Sequence, residues 1–121
     1  MEKFYHKPYY YGIADETYGK KRLKKFKRQF KTRGFDSTEL WNLDGSLSKI
    51  ILPRLIAFRA ETVGVPGPLS SEEEWDEILG KMIFSFKTLA GDCCGFYDED
   101  TEARIQEGLN LFSKYFRNLW D

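Results

Sequence analysis

The sequence predicts an all-α protein: a compact bundle of three to four main helices, preceded by an irregular N-terminal arm rich in aromatic and basic residues. Three observations carry this prediction. Apolar side chains recur three and four positions apart along most of the chain, which is typical of amphipathic helices. Glycines and prolines concentrate between those segments. The length of 121 residues, of which 41% are hydrophobic, suits a single domain over residues 1–121.

The N-terminal arm comprises residues 1–16. Pro8 and Gly12 disfavour a long helix there, so we expect irregular or extended backbone. The arm carries the aromatic side chains Phe4, Tyr5, Tyr9, Tyr10 and Tyr11.

A basic helix is predicted over residues 17–33. Its apolar positions recur at helical spacing among many lysines and arginines, and they are Leu23, Phe26 and Phe30. Gly34 is placed to end the helix, because glycine readily adopts the left-handed backbone of a helix C-terminus. The pattern therefore indicates a narrow apolar stripe inside a basic exterior.

Two helical segments are predicted next. Asp36 or Ser37 is expected to cap a short turn at residues 36–41, anchored by Trp41 and Leu43. A longer helix is predicted at about residues 46–62, capped by Asp44 or Ser46 and kinked or split by Pro53. Its expected core face comprises Leu47, Ile51, Leu55 and Phe58.

The strongest helix start lies after a stiff loop at residues 64–69. Ser71 and Glu74 form a capping-box pattern, and the helix is predicted to run to Leu89. Its continuous apolar stripe comprises Trp75, Ile78, Leu79, Met82, Ile83, Phe86 and Leu89.

The last helix is predicted to follow a loop at residues 90–100. Thr101, or Asp100 before it, is expected to cap this helix. Its apolar positions are Ile105, Leu109, Phe112, Phe116 and Leu119.

Charge is segregated along the chain although its formal net charge is zero. Residues 1–33 carry a net charge of +8, and residues 34–121 carry −8. The chain is thus a basic arm and helix joined to an acidic helical body. This asymmetry either serves a charged partner or is balanced when the arm lies on its own body, and the sequence leaves both readings open.

Several classes of protein are disfavoured by the composition. No apolar run reaches the roughly 18 residues that a membrane span requires, so no membrane partner is expected. Cys93 and Cys94 are adjacent, a spacing unlike that of zinc sites, so neither a metal site nor a cofactor is expected. With one histidine and no recognisable nucleophile and base, we expect no catalytic residues and no enzyme.

Three segments resemble a group of known proteins. They are a W-x-L-D segment at residues 41–44, an I-L-P-R-L segment at residues 51–55 and an E-E-W-D-x-I-L segment at residues 73–79. In this order they resemble small helical proteins of uncharacterised function encoded by bacteriophages and prophages. The resemblance covers about residues 33–89. It implies a phage origin and a helical fold, and it implies no chemistry. The N-terminus has no signal-peptide hydrophobic stretch and the adjacent cysteines suit a reducing compartment, so a location in the host bacterial cytoplasm is expected.

Candidate ligand-binding residues lie in the arm, the basic helix and the helix that contains Pro53. Cations bind phosphate and aromatic rings stack on bases, and the candidates are Tyr9, Tyr11, Lys20, Lys21, Arg22, Lys24, Arg28 and Arg54. Structural roles compete with this interpretation. Asp44 and Arg54 are more simply a helix cap and a member of an interhelical ion pair, and the basic helix is more simply a solvated face.

Three functions remain open on the sequence. The first is a non-enzymatic phage accessory protein that neutralises a host target, either by sequestering an anionic nucleotide signal or by blocking a host defence protein. The second is a factor in phage replication or packaging that binds nucleic acid through its basic arm. The third is a structural homo-oligomer in which the basic arm of one copy docks on the acidic body of the next.

Overall fold

The computed structural model describes residues 10–91 and 96–121, and every regular element in them is helical, which confirms the all-α class. A short 3-10 helix at Glu16–Tyr18 precedes five α-helices. These are α1 (Lys20–Arg33), α2 (Thr38–Trp41), α3 (Leu43–Glu61), α4 (Glu72–Leu89) and α5 (Glu99–Tyr115), and a second 3-10 turn follows at Phe116–Asn118.

None of the described helices is both long and apolar enough to cross a bilayer.

The chain divides into two compact units, Met1–Leu47 and Ser48–Asp121, each with its own apolar core. In the first unit, Tyr10, Ala14 and Phe26 are buried, and Tyr18, Leu23 and Phe30 of the helical segments pack against them. Edge-to-face ring contacts hold this core together, with centroid distances of 5.7 Å for Tyr10 and Phe30 and 5.8 Å for Tyr18 and Phe26. The predicted apolar stripe of the basic helix therefore packs into the core of the first unit.

The basic helix is shorter than predicted. Gly19 adopts a positive φ of 85° and separates the 3-10 helix from α1, so no single helix runs from residue 17 to residue 33. The predicted stop is confirmed: Gly34 has φ 86° and its N–H donates to the Phe30 carbonyl at 2.8 Å.

A buried polar network joins the segments that flank α1. Asp36 is fully buried; it accepts hydrogen bonds from the Tyr10 hydroxyl at 2.5 Å and from the Thr38 N–H at 2.8 Å. The Thr38 hydroxyl also donates to Asp36, at 2.5 Å, and accepts from the Ile13 N–H at 3.0 Å. Of the two predicted caps, Ser37 occupies the N-cap position without a side-chain bond, and Asp36 accepts from the first N–H of α2 as part of a larger network that satisfies a buried carboxylate.

Helix α3 begins earlier than predicted, at Leu43, so Asp44 and Ser46 lie inside its first turn rather than at its cap. It continues through Pro53, so of the two predicted outcomes there, a kink or a split, the split does not occur. Of the predicted core face, Leu55 is buried and Ile51 and Phe58 pack against the same core, whereas Leu47 is almost half exposed.

The second unit is built on α4 and α5. The capping prediction for α4 is confirmed, because Ser71 Oγ accepts from the Glu74 N–H at 3.1 Å and the Glu74 carboxylate accepts from the Ser70 N–H at 3.0 Å. The core of this unit comprises Leu55, Trp75, Leu79, Met82, Phe86 and Tyr115. The stripe predicted for α4 therefore supplies four of these six residues.

Helices α4 and α5 run antiparallel at close range. Trp75 near the start of α4 contacts Tyr115 at the end of α5, whereas Ser85 near the end of α4 donates to the Ile105 carbonyl at 2.7 Å. Between these contacts, Lys81 pairs with Glu107 at 3.1 Å.

The ends of α5 depart from the prediction. Asp98, rather than Thr101 or Asp100, is the N-cap, and its carboxylate accepts from the Thr101 N–H at 2.7 Å. At the other end the α-helical geometry stops at Tyr115, so Phe116 leaves the predicted stripe and is 59% exposed. The loop prediction over residues 90–100 falls partly outside the described residues, as do Cys93 and Cys94.

Candidate functional site

Helix α1 presents a continuous basic face. It holds nine lysines and arginines in 14 residues and contains no acidic residue. At 100° per residue, seven of these cations fall within an arc of about 160° opposite the apolar stripe. They are Lys20, Lys21, Lys24, Lys25, Lys27, Arg28 and Lys31, of which Lys27 is half-buried and the others are exposed.

The basic face is stretched along the helix axis. Lys20, Lys24, Lys27 and Lys31 form one row along it, with a helical rise of about 16 Å from first to last. A polynucleotide strand carries one phosphate per roughly 3.4 Å of duplex axis, so a row of this length faces about five phosphates. A second row, through Lys21 and Arg28, lies beside it. The face thus matches an extended ligand with repeating negative charge.

Three acidic groups of the first unit are hydrogen-bonded or buried. Asp15 accepts from the N–H of Thr17 at 2.9 Å and from its hydroxyl, and these bonds hold the Asp15 pKa below its usual range. Asp36 is enclosed by its network, and Glu39 is buried. Apart from Lys27, the cations of the basic face form no ion pair with a described carboxylate of this unit.

The positive charges of α1 make it unstable as an isolated helix. Lys20, Lys21 and Arg22 occupy the first turn, where the positive end of the helix dipole disfavours cations. Like charges also lie four residues apart, as in Lys20 and Lys24 or Lys24 and Arg28. Each such pair destabilises a helix by roughly 0.2–0.5 kcal/mol. The tertiary contacts of the apolar stripe, rather than the sequence of the helix, therefore keep the face in place.

One shoulder of the basic face is aromatic. The Arg22 guanidinium lies 5.1 Å from the centre of the Tyr18 ring, 5.7 Å from Phe26 and 5.9 Å from Trp41. Trp41 is held by Phe26 at 6.0 Å and Tyr18 at 6.0 Å, yet remains 53% exposed. It therefore contacts the core of the first unit, as an anchor of the short turn should, and its ring is also accessible.

The predicted site residues are only partly brought together. Lys20, Lys21, Lys24 and Arg28 share the basic face, and Arg22 lies on its aromatic shoulder. Tyr9 lies outside the described residues. The carbonyl of Tyr11, whose side chain is half-buried, accepts from Ser46 Oγ at 3.4 Å.

Arg54 does not have the surroundings that the sequence predicted. It belongs to the second unit and is exposed rather than set among buried positions. Its Nη1 donates to the carbonyl of Ile50, one turn back on its own helix, at 2.7 Å. The predicted interhelical ion pair is therefore wrong, because the guanidinium folds back along α3.

Comparisons with protein-family models, with curated proteins and with solved structures find no match for this chain. The geometry of α1 and its neighbours is accordingly the basis for any functional argument.

Four contributors to this surface were absent from the predicted set. Lys25, Lys27 and Lys31 belong to the basic face, and a helical-wheel projection of the sequence is sufficient to include them. Trp41 belongs to the shoulder, but its exposure depends on how α2 packs and has no signal in the sequence.

A cavity in the second unit offers a contrasting environment. It has a volume of about 490 Å³ and is lined by Arg59 together with Glu72, Glu73, Asp76 and Glu77. The Arg59 charge is already neutralised, since its Nε and Nη2 bind both oxygens of Asp76 at 2.8 and 2.9 Å. An anionic ligand would therefore be repelled there.

Proposed function

We propose that this protein is a non-enzymatic nucleic-acid-binding factor that contacts the phosphate backbone through the basic face of α1. The observation that carries the proposal is the exposed arc of cations on a helix without acidic residues. Phosphate contacts of this kind supply most of the sequence-independent affinity for nucleic acid.

The shape of the surface favours a polymer over a small nucleotide. Sites for small molecules are concave and enclose most of the ligand, whereas one face of a helix is convex and offers contacts along its length. The cavity near Arg59 has a largely acidic lining, so it does not supply an alternative nucleotide site.

The surface also favours nucleic acid over a membrane. A helix that lies on a bilayer inserts its apolar side between the lipids. In α1 that side is already covered, because Phe26 is 3% exposed and packs against Tyr18 and Trp41. The basic face alone remains for a ligand.

This proposal corresponds to the second of the three functions left open by the sequence. Neutralisation of a host target, a phage origin and self-assembly remain predictions that the basic face neither requires nor opposes.

Salt-dependent binding tests the proposal. A fluorescently labelled 20-nucleotide DNA is titrated with the protein between 50 and 300 mM salt, and anisotropy gives the dissociation constant. We expect affinity to fall steeply as salt rises. The slope of log K against log salt should drop by roughly 0.7–0.9 for each phosphate contact removed.

Two double variants, each of which loses two positive charges, test whether the site lies on the basic face. Lys21→Gln with Arg28→Gln removes two exposed cations from the basic face, and Lys87→Gln with Arg117→Gln removes two exposed cations from the second unit. We expect at least a tenfold loss for the first pair at 100 mM salt and less than a twofold change for the second. Equal losses, or no binding by the unmodified protein at 50 mM salt, would overturn the proposal.

A further inference from the structure

We propose that the aromatic shoulder selects single-stranded nucleic acid, with one unpaired base stacked on Trp41 and its neighbouring phosphates on α1. This inference rests on the proposed function and adds the class of substrate.

The Trp41 ring has the two properties that a stacking platform needs. Its position is fixed, because Phe26 meets it edge to face at an interplanar angle of 82° and Tyr18 meets it at 56°. It is also accessible, with about half of its surface exposed. A fixed ring loses little conformational freedom when a base covers it.

Arg22 connects this ring to the basic face. Its guanidinium lies 5.9 Å from the Trp41 ring centre, and Lys25 follows it by three residues on the same side of α1. Lys21 precedes Arg22 directly. A strand whose base covers the indole therefore has cations for the phosphates on either side of that base.

This arrangement discriminates against duplex. Bases in a duplex are paired and stacked on one another, so none is available to a ring on a protein surface. A duplex still contacts the cations of α1, but it gains nothing from Trp41. We therefore expect tighter binding to a single strand than to a duplex of the same length.

Two tryptophan variants test the inference. Trp41→Leu keeps apolar bulk against Phe26 and removes the aromatic face, and Trp120→Leu makes the same change at a 73% exposed ring of the second unit. The probes are a 15-nucleotide oligothymidine and a 15-base-pair duplex, both at 100 mM salt. Thermal melting verifies that each variant is folded.

For the unmodified protein we expect a single-strand preference of roughly 5- to 150-fold, the range that stacking of one base supplies. Trp41→Leu should abolish the preference by weakening single-strand binding, and leave duplex binding within twofold. Trp120→Leu should change neither affinity. Oligothymidine should also quench the tryptophan fluorescence of the unmodified protein and of Trp120→Leu, but not that of Trp41→Leu.

The two proposals fail in different ways. Equal affinity of the unmodified protein for both probes, or a preference that survives in Trp41→Leu, would overturn the stacking inference and leave backbone binding intact. Loss of binding to both probes in the unmodified protein would overturn the proposed function itself.

Discussion

Gly108 of α5 packs directly against Ser85 of α4, with no room for a methyl group between the two helices. A Cβ atom on Gly108 would overlap both Ser85 Oγ and the carbonyl oxygen of Lys81. Ser85 is fully buried and its hydroxyl donates to the Ile105 carbonyl at 2.7 Å. The close approach of the helices and this hydrogen bond therefore depend on each other.

Substitution of Gly108 by alanine is expected to destabilise the protein. The added methyl group must push α4 and α5 apart, and overpacking of this kind costs about 1–3 kcal/mol. Urea unfolding followed by circular dichroism measures the loss. Gly67→Ala is the matched control, because nothing lies within 4 Å of a Cβ at that position. A loss for Gly108→Ala no larger than that of the control would contradict the packing described.

Removal of the Tyr10 hydroxyl tests the buried network. Tyr10→Phe deprives the buried Asp36 carboxylate of a donor at 2.5 Å, which should cost about 1–3 kcal/mol of unfolding free energy. Tyr97→Phe makes the same chemical change where the hydroxyl donates to the Thr88 carbonyl at 3.4 Å. Denaturant melts should show the smaller loss for Tyr97→Phe, and the reverse order would refute the role of Tyr10.

The Tyr10 hydroxyl should remain a donor throughout the physiological pH range. Burial, and then its hydrogen bond to Asp36, raises the pKa of Tyr10 above its usual range. Its proton is therefore retained, and the network keeps the same pattern of donors and acceptors.

Glu39 should make the free energy of unfolding depend on pH with the opposite sign to the capping residues Asp15 and Asp98, whose pKa values are lowered. Burial, and then the negative charge of Asp36, raises the pKa of Glu39 above its usual value. A carboxyl with a raised pKa binds its proton more tightly in the folded protein. Its contribution to stability is therefore full below about pH 4 and is lost as the pH rises through the folded pKa.

Glu39→Gln should accordingly raise the melting temperature at pH 7 and have little effect near pH 4. Thermal melts of both proteins at the two pH values measure this difference. Glu61→Gln, at the exposed end of α3, is the control and should change the melting temperature little at either pH. An advantage of Glu39→Gln that is equally large at pH 4 would point to packing rather than charge.

Lys24→Glu should make the protein more stable and a weaker binder at the same time. The glutamate replaces repulsion with attraction toward Lys20 and Arg28, one turn away on either side, for a gain of about 1 kcal/mol. The same change removes positive charge from the basic face. Melting at 20 mM and 500 mM salt, beside the anisotropy titration, separates the two effects.

The stability gain should shrink at high salt, because screening weakens interactions between exposed charges. Lys24→Gln should give an intermediate result in both assays. A variant that loses stability at low salt would show that Lys24 contributes to the fold rather than to a binding surface.

The sequence correctly predicted those features of the fold that depend only on residues close together in the chain. Ser71 and Glu74 cap α4 because both partners lie within one helical turn, and Gly34 ends α1 because few other residues adopt its backbone conformation. Gly19 also adopts a positive φ and interrupts the chain before α1, but the prediction began the helix at Thr17 and did not use this signal.

Features set by packing could not be predicted. Asp36 has the sequence pattern of a surface cap, and only the approach of Tyr10 makes it a buried acceptor. Trp41 was expected to anchor the short turn, but the 53% exposure of its ring beside Phe26 and Tyr18 is set by tertiary packing. Most cations of the basic face were predicted from the sequence, whereas its aromatic shoulder depends on this packing.

The bond between Tyr10 and Asp36 closes a loop of the chain that contains the whole of α1. A helix of 14 residues with so many like charges does not persist alone in water. The cations become an ordered array only once the two flanking segments have met. A chain shortened past Tyr10 would keep every lysine and arginine of α1 and still lose the surface that they form.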